Sequence, residues 1–244
     1  MIKLEPTAKL DVEEIYSRLM KKKHIPTRFR LPYTTEQVYT MLYASCKAEV
    51  NARMRKFMLS DKYKQHLWDI SKWLTSTDCT FGLFLSGNKG NGKTTIVKAL
   101  QSLYAYIHSD ETSHTEKELY ELPYKGFVII TAKELVQYAK ASANPTKENA
   151  EAVAYFNKIR NIEVLCIDDL GAEARESLHY GEIITAVTDI IHHRYQEQFC
   201  TIATSNLSGK EIGKYYDERL ADRLREMAHI VNFDNEPSFR TNNV

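Results

Sequence analysis

Residues Gly87-Asn88-Lys89-Gly90-Asn91-Gly92-Lys93-Thr94 match the pattern G-x-x-x-x-G-K-[ST], and their flanks restrict the fold further. Before them, Phe81-Gly82-Leu83-Phe84-Leu85-Ser86 is a short apolar run suited to a buried strand. After them, Thr95 to Leu103 places apolar residues at helical spacing. Strand, glycine-rich turn and helix, in that order, build a cradle for an anion. Glycines 87, 90 and 92 accept positive φ, so several backbone N–H groups can converge on one point. The helix beginning near Lys93 adds the positive end of its dipole. Lys93 is placed to reach the β- and γ-phosphates of a nucleoside triphosphate, and the Thr94 hydroxyl to ligate Mg²⁺. The alternative is a glycine turn that merely joins strand to helix, and the order of the elements argues against it. We assign nucleotide binding to Gly87, Asn88, Lys89, Gly90, Asn91, Gly92, Lys93, Thr94 and Thr95. Lys89 lies outside the signature and can equally be a solvated loop charge.

The alternation continues along the chain. Apolar runs at 126–131, 164–167, 200–204 and 230–233 read as strands. Helical patterns cover 61–75, 133–141, Thr146 to about Arg160, 178–195, and 212–227 with a weak point near Asp217. Residues 109–121 are acidic and rich in Ser and Thr, and read as an exposed loop. The strands are apolar on both faces, which predicts an α/β architecture: a five-stranded parallel sheet covered by helices on both sides. Upstream, Asp11 to Lys23 carries Val12, Ile15, Tyr16, Leu19 and Met20 on one helical face. Pro26 and Pro32 then break the pattern, and Thr34 is placed to cap a helix over 35–58.

Charge divides the chain. Residues 1–76 carry 15 Lys and Arg against 8 Asp and Glu, whereas the remainder carries 18 against 24. A basic appendage that meets nucleic acid or an acidic partner surface would look like this, as would a Lys-rich solvated helix face. No apolar run is long enough to cross a bilayer, and Met1 to Pro6 lacks the apolar segment of a signal peptide. The four cysteines form no C-x-x-C pair, which argues against zinc and for a reduced, cytoplasmic setting.

Two further elements fall at the same sheet edge as the glycine loop. Asp168 follows an apolar strand and can hold the Mg²⁺ shell, with Asp169 next to it as a base for an attacking water. Glu173 is a substitute for that base, and a simple turn start is the alternative reading of Asp-Asp. Thr204-Ser205-Asn206 ends another strand, where the Asn206 amide can report on a γ-phosphate. Arg219 and Arg223 are four apart on one helix face and suit a phosphate held by a neighbouring subunit. Pairing with Glu218, Asp222 and Glu226 is the competing reading.

Taken together, GNKGNGKTT (87–95), VLCIDDLGAE (164–173), HHRYQEQFCTIATSNL (192–207), ERLADRLREM (218–227) and Ser238-Phe239-Arg240 resemble one branch of the AAA+ ATPases. This is the helicase-loader and transposition-helper branch, the DnaC, DnaI and IstB-like proteins. The resemblance covers roughly residues 61–240. It implies an AAA+ core that binds ATP and Mg²⁺ and assembles into a homo-oligomer with nucleotide between subunits. It also implies that Arg223 is the finger arginine and Asn206 the first sensor. By the same resemblance, the helices over 133–160 face single-stranded DNA, with Lys133, Lys140, Lys147, Lys158 and Arg160 as candidate contacts. Three features depart from the wider superfamily. Asp169 stands where Glu is common, there is little or no room for a C-terminal lid (Arg240 being the one candidate lid arginine), and residues 1–60 match nothing firmly.

The expectation is therefore a helical, basic partner- or DNA-binding region over 1–60 and an AAA+ ATPase domain over 61–244. The function expected is that of a DnaC-like helicase loader acting on the replicative helicase and single-stranded DNA, with slow ATP hydrolysis. A helper of a DNA transposase is the alternative. A small-molecule or nucleoside kinase fits less well, because of the strand ending at Asn206 and the arginine helix after it.

Overall fold

The structure is a computed structural model that describes residues 11–21, 28–108, 127–173, 180–234 and 238–239, with side chains of 180–185 excluded. The expected loop at 109–121, Lys22, Lys23 and Arg240 lie outside the described residues. In chain order the elements are α1 (Val12–Met20), α2 (Thr35–Asn51), α3 (Asp61–Thr75), β1 (Gly82–Ser86), α4 (Lys93–His108), β2 (Val128–Thr131) and α5 (Ala132–Ala143). There follow α6 (Ala150–Asn161), β3 (Val164–Leu170), α7 (Tyr180–Gln196), β4 (Cys200–Ser205), α8 (Gly209–Tyr215), α9 (Glu218–Met227) and β5 (Ala228–Asn232). The strands form one sheet in the order β2-β3-β4-β1-β5, and every pairing is parallel.

The period of two along each strand sorts side chains onto two faces. Leu83, Leu85, Cys166, Ile202 and Val231 point to a core shared with α2, α3 and α4. Phe84, Leu165, Ile167 and Ala203 point to a second core against α5, α7, α8 and α9. Both faces are buried, which explains the near-continuous apolar strands. Among the described residues, no helix is long and apolar enough to cross a membrane.

Residues expected in the N-terminal region share the first core. Val38, Leu42 and Cys46 of α2 are fully buried in it, and so are Phe29 and Leu31 almost completely. Arg30 is held there too. Its guanidinium lies 4.6 Å from the centre of the Trp73 ring and donates to the Ser76, Asp78 and Thr80 carbonyls. Burial lowers its pKa. Arg28 stands over Phe81 and donates to Gln198. Thus part of the N-terminal positive charge is used internally, to clamp the approach to β1. By contrast, no residue of α1 is buried.

Three boundaries differ from expectation. The helix capped by Thr34 stops at Asn51, not Met58. Met54 takes a left-handed φ of 55°, and the Arg55 N–H closes back on the Val50 carbonyl at 3.3 Å. Glycine usually marks such a closure, and none is present to signal it. The helix expected from Thr146 begins at Ala150, because Thr146 and Asn149 bond reciprocally, side chain to backbone, in a turn of their own. The weak point near Asp217 is a full break: Asp217 caps α9, accepting the Leu220 N–H at 2.6 Å.

Candidate nucleotide site

The glycine loop joins β1 to α4 at the C-terminal edge of the sheet. Gly87, Gly90 and Gly92 all have positive φ, at 122°, 85° and 92°. At Gly87 a Cβ would lie 2.6 Å from the Phe233 backbone; at Gly92 it would lie 2.8 Å from the Tyr63 ring. No side chain fits at either position. Asn91 is fully buried, and its Nδ2 donates to the Phe233 carbonyl at 2.7 Å. The loop is thereby pinned to the end of β5. The sequence assigns Asn91 to nucleotide binding with the rest of the loop; its side chain instead holds the loop to β5, through a partner far along the chain.

Lys93 is only 5% exposed. Its Nζ donates to the Gly87 and Asn88 carbonyls at 2.7 and 2.8 Å, and to the side-chain oxygens of Asn91 and Asn206 at 3.2 Å each. The loop lysine and the β4 tip therefore meet.

The two acids owe their separation to a bulge. Ile167 pairs with Ala203 but Leu170 pairs with Ser205, so β3 holds one extra residue. Asp169 absorbs it with a φ of 59°, a conformation that Asp tolerates better than most residues. Thr204 bridges the gap. Its hydroxyl accepts the Asp169 N–H at 2.9 Å and donates to Asp168 Oδ1 at 2.5 Å. The Thr94 hydroxyl donates to the same Oδ1 at 3.1 Å. A hydroxyl and a carboxylate oxygen side by side suit a hard cation that keeps water and phosphate oxygens as its other ligands. Among the described residues, no cluster of three or more His, Cys, Asp or Glu could hold a metal by itself.

These residues border a pocket of about 830 Å³. Lys89 to Thr95, Asp168, Asp169 and Asn206 form its floor, while Gly87 and Asn88 are not among its lining residues. Its opposite wall was not foreseen. Arg53, Arg55 and Lys56 line it from the turn after α2, together with Phe57, Tyr63 and Phe239. The aromatic rings touch in series: Phe57 to Tyr63 at 6.2 Å, and Tyr63 to Phe239 edge-on at 5.5 Å. The Phe239 N–H donates to the Gly90 carbonyl at 3.0 Å. Apolar rings beside a cationic rim can take a base and its phosphates. Phe239 belongs to the closing Ser238-Phe239-Arg240 segment, but nothing local in the sequence places it, or the residues from the helix ends, at this pocket.

Arg223 stands away from this pocket, on α9. It is half-buried, with its guanidinium 5.1 Å from the centre of the Tyr195 ring. Arg219 is exposed. On α9, Arg225 forms ion pairs with Asp222 and Glu218. Glu173, the substitute base, is buried outside the pocket and bonded to Tyr216. Lys133, Lys140, Lys147, Lys158 and Arg160 are all exposed on or beside α5 and α6.

No protein-family model matches the chain. The replicative helicase loader DnaI of Bacillus subtilis (strain 168) is 25% identical over 184 residues, 70% of this chain and 52% of DnaI. The chain thus spans about half the length of the curated relative it matches. Among solved structures, the DnaC helicase loader superposes with a TM-score of 0.54 at 21% identity, over 76% of this chain and 98% of DnaC. A DnaI structure gives 0.51 at 21% identity, over 78% and 93%. AMPPCP-bound DnaA from Aquifex aeolicus gives 0.51 at 14% identity, over 75% and 50%. The chain accordingly has the AAA+ P-loop NTPase fold that DnaC and DnaA share, and it is related in sequence to the helicase loader DnaI.

Proposed function

We propose that this chain is an ATP-dependent loader that docks on the replicative helicase and helps place it on single-stranded DNA. The observation that carries this reading is the DnaI relationship laid over a pocket in which Lys93, Thr94, Asp168 and Asn206 converge. Lys93 exchanges its loop carbonyls for the β- and γ-phosphates of ATP. Phe57, Tyr63 and Phe239 flank the base. Thr94 and Asp168 hold Mg²⁺, which when bound neutralises charge on the phosphate oxygens. Asp169 takes the proton from the water that attacks the γ-phosphorus as the bond to ADP breaks. Asn206 orients that water, and Arg223 arrives from an adjoining protomer of a homo-oligomer. Turnover is slow, so ATP acts chiefly as a switch between states.

Residues 1–60 carry the partner contact through α1 and residues 61–244 the ATPase core, while α2 and Arg53 to Phe57 of the N-terminal region complete that core and its pocket. The exposed apolar face of α1, with Val12 73%, Tyr16 59% and Leu19 55% exposed, supports this division. The α5–α6 cations contact DNA phosphates.

Affinity capture of the full chain from its native host, with ATP present, is expected to retain the replicative helicase. Retention of a transposase in its place would overturn the loader reading. For the finger, Arg223→Ala is expected to leave nucleotide binding intact and cut hydrolysis about 10³-fold, as loss of such an arginine does elsewhere. If Arg219→Ala alone has that phenotype, the exposed arginine is the finger.

A further inference from the structure

Glu173 is 4% exposed yet lies outside the nucleotide pocket. Its Oε1 accepts the Tyr216 hydroxyl at 2.6 Å, and its backbone carbonyl accepts the Tyr215 hydroxyl at 2.9 Å. The Tyr216 oxygen accepts the Gly171 N–H at 2.9 Å. Gly171 and Glu173 are thus both tied to one phenol, and Ala172 between them lines the pocket. On its other side Tyr216 directly precedes Asp217, the cap of α9. One side chain therefore joins a pocket wall to the start of the arginine helix.

A buried carboxyl opposes folding unless its bonds return something. Here Oε2 has no hydrogen-bond partner among the described residues. Burial pushes the carboxyl pKa up, which favours the neutral form. Packing alone would be better served by an apolar residue at this position. What Glu173 provides instead is a directed bond between two segments that must keep a fixed relation.

We propose that Glu173 is a positioning residue which, through Tyr216, couples the pocket wall at Ala172 to the placement of the α9 arginines. This rests on the reading that α9 serves a neighbouring protomer. Tyr216→Phe removes both phenol hydrogen bonds and keeps the ring. In the full chain it is expected to lower kcat about tenfold, the scale of a small misplacement, with ATP affinity near wild type and a lowered melting temperature, because Glu173 and the Gly171 N–H lose a buried partner. Glu173→Gln, whose amide oxygen still accepts the phenol, is expected to stay close to wild type.

Mixing Tyr216→Phe with Lys93→Ala protomers is expected to restore turnover. The lysine variant cannot hydrolyse ATP itself, but it presents a correctly placed arginine. Unchanged kcat in Tyr216→Phe, or a loss that such mixing does not restore, overturns the proposal. If neither Arg219→Ala nor Arg223→Ala impairs hydrolysis, the α9 reading has failed, and the tie is then judged without nucleotide. Hydrogen exchange should rise together in residues 170–173 and 216–224 of Tyr216→Phe; exchange unchanged in either segment overturns the coupling.

Discussion

Replacing Lys93 by alanine is expected to lower ATP affinity by on the order of 100-fold, the loss of one or two charge-assisted hydrogen bonds at about 1.5–3 kcal/mol each. The ammonium is buried at the base of the loop, where water screens it poorly. Four of its acceptors are carbonyl or amide oxygens of the loop and Asn206. A phosphate offers it stronger partners than these. Alanine removes both the phosphate contact and the cross-link between loop and β4 tip. Titration calorimetry with ATP reads the loss directly, with circular dichroism to confirm folding. A dissociation constant within about threefold of wild type, less than 1 kcal/mol, would remove Lys93 from the phosphate role.

The second large effect is on stability. Arg194 is fully buried. Its Nε donates to Thr201 Oγ1 at 2.9 Å, and its two terminal nitrogens donate to the Ile162 and Cys200 carbonyls at 2.7 Å each. It thereby joins the end of α7, the turn between α6 and β3, and the first residue of β4. Replacing it with alanine leaves those carbonyls buried without donors, and is expected to cost about 3–5 kcal/mol. Arg194→Lys should also destabilise, because an ammonium cannot serve that planar set of acceptors. Urea unfolding should show a lower midpoint at unchanged slope. A loss under about 1 kcal/mol would mean that the site collapses around the smaller side chain. Burial lowers the Arg194 pKa to about 10. The folded form therefore releases this proton at lower pH than the unfolded form. Near neutral pH both keep it, so Arg194 adds no pH dependence there, and its contribution to stability rises only between its folded and unfolded pKa values.

Much of the fold was legible because its signals are local. The helix at 61–75 was read from its apolar spacing, and each strand from an uninterrupted apolar run. The glycine loop was readable for the same reason, since positive φ at Gly87, Gly90 and Gly92 is a property of the residues themselves. Asp168 and Asn206 were found by placing the C-terminal ends of parallel strands at one edge. Their meeting with Lys93 and Thr94 agrees with that placement.

Other features depend on where distant segments come to rest. The pocket's aromatic wall joins residues 57, 63 and 239, and Asn91 finds its partner at Phe233. Glu173 looked like a spare base until folding set it against Tyr216. Arg30 is one of many N-terminal cations along the sequence, and only folding sets it against Trp73. Period, capping and turn chemistry act over a few residues and can be read along a line. The partner of a buried polar group is chosen by packing across the whole sheet, where desolvation penalises every arrangement that leaves it unbonded.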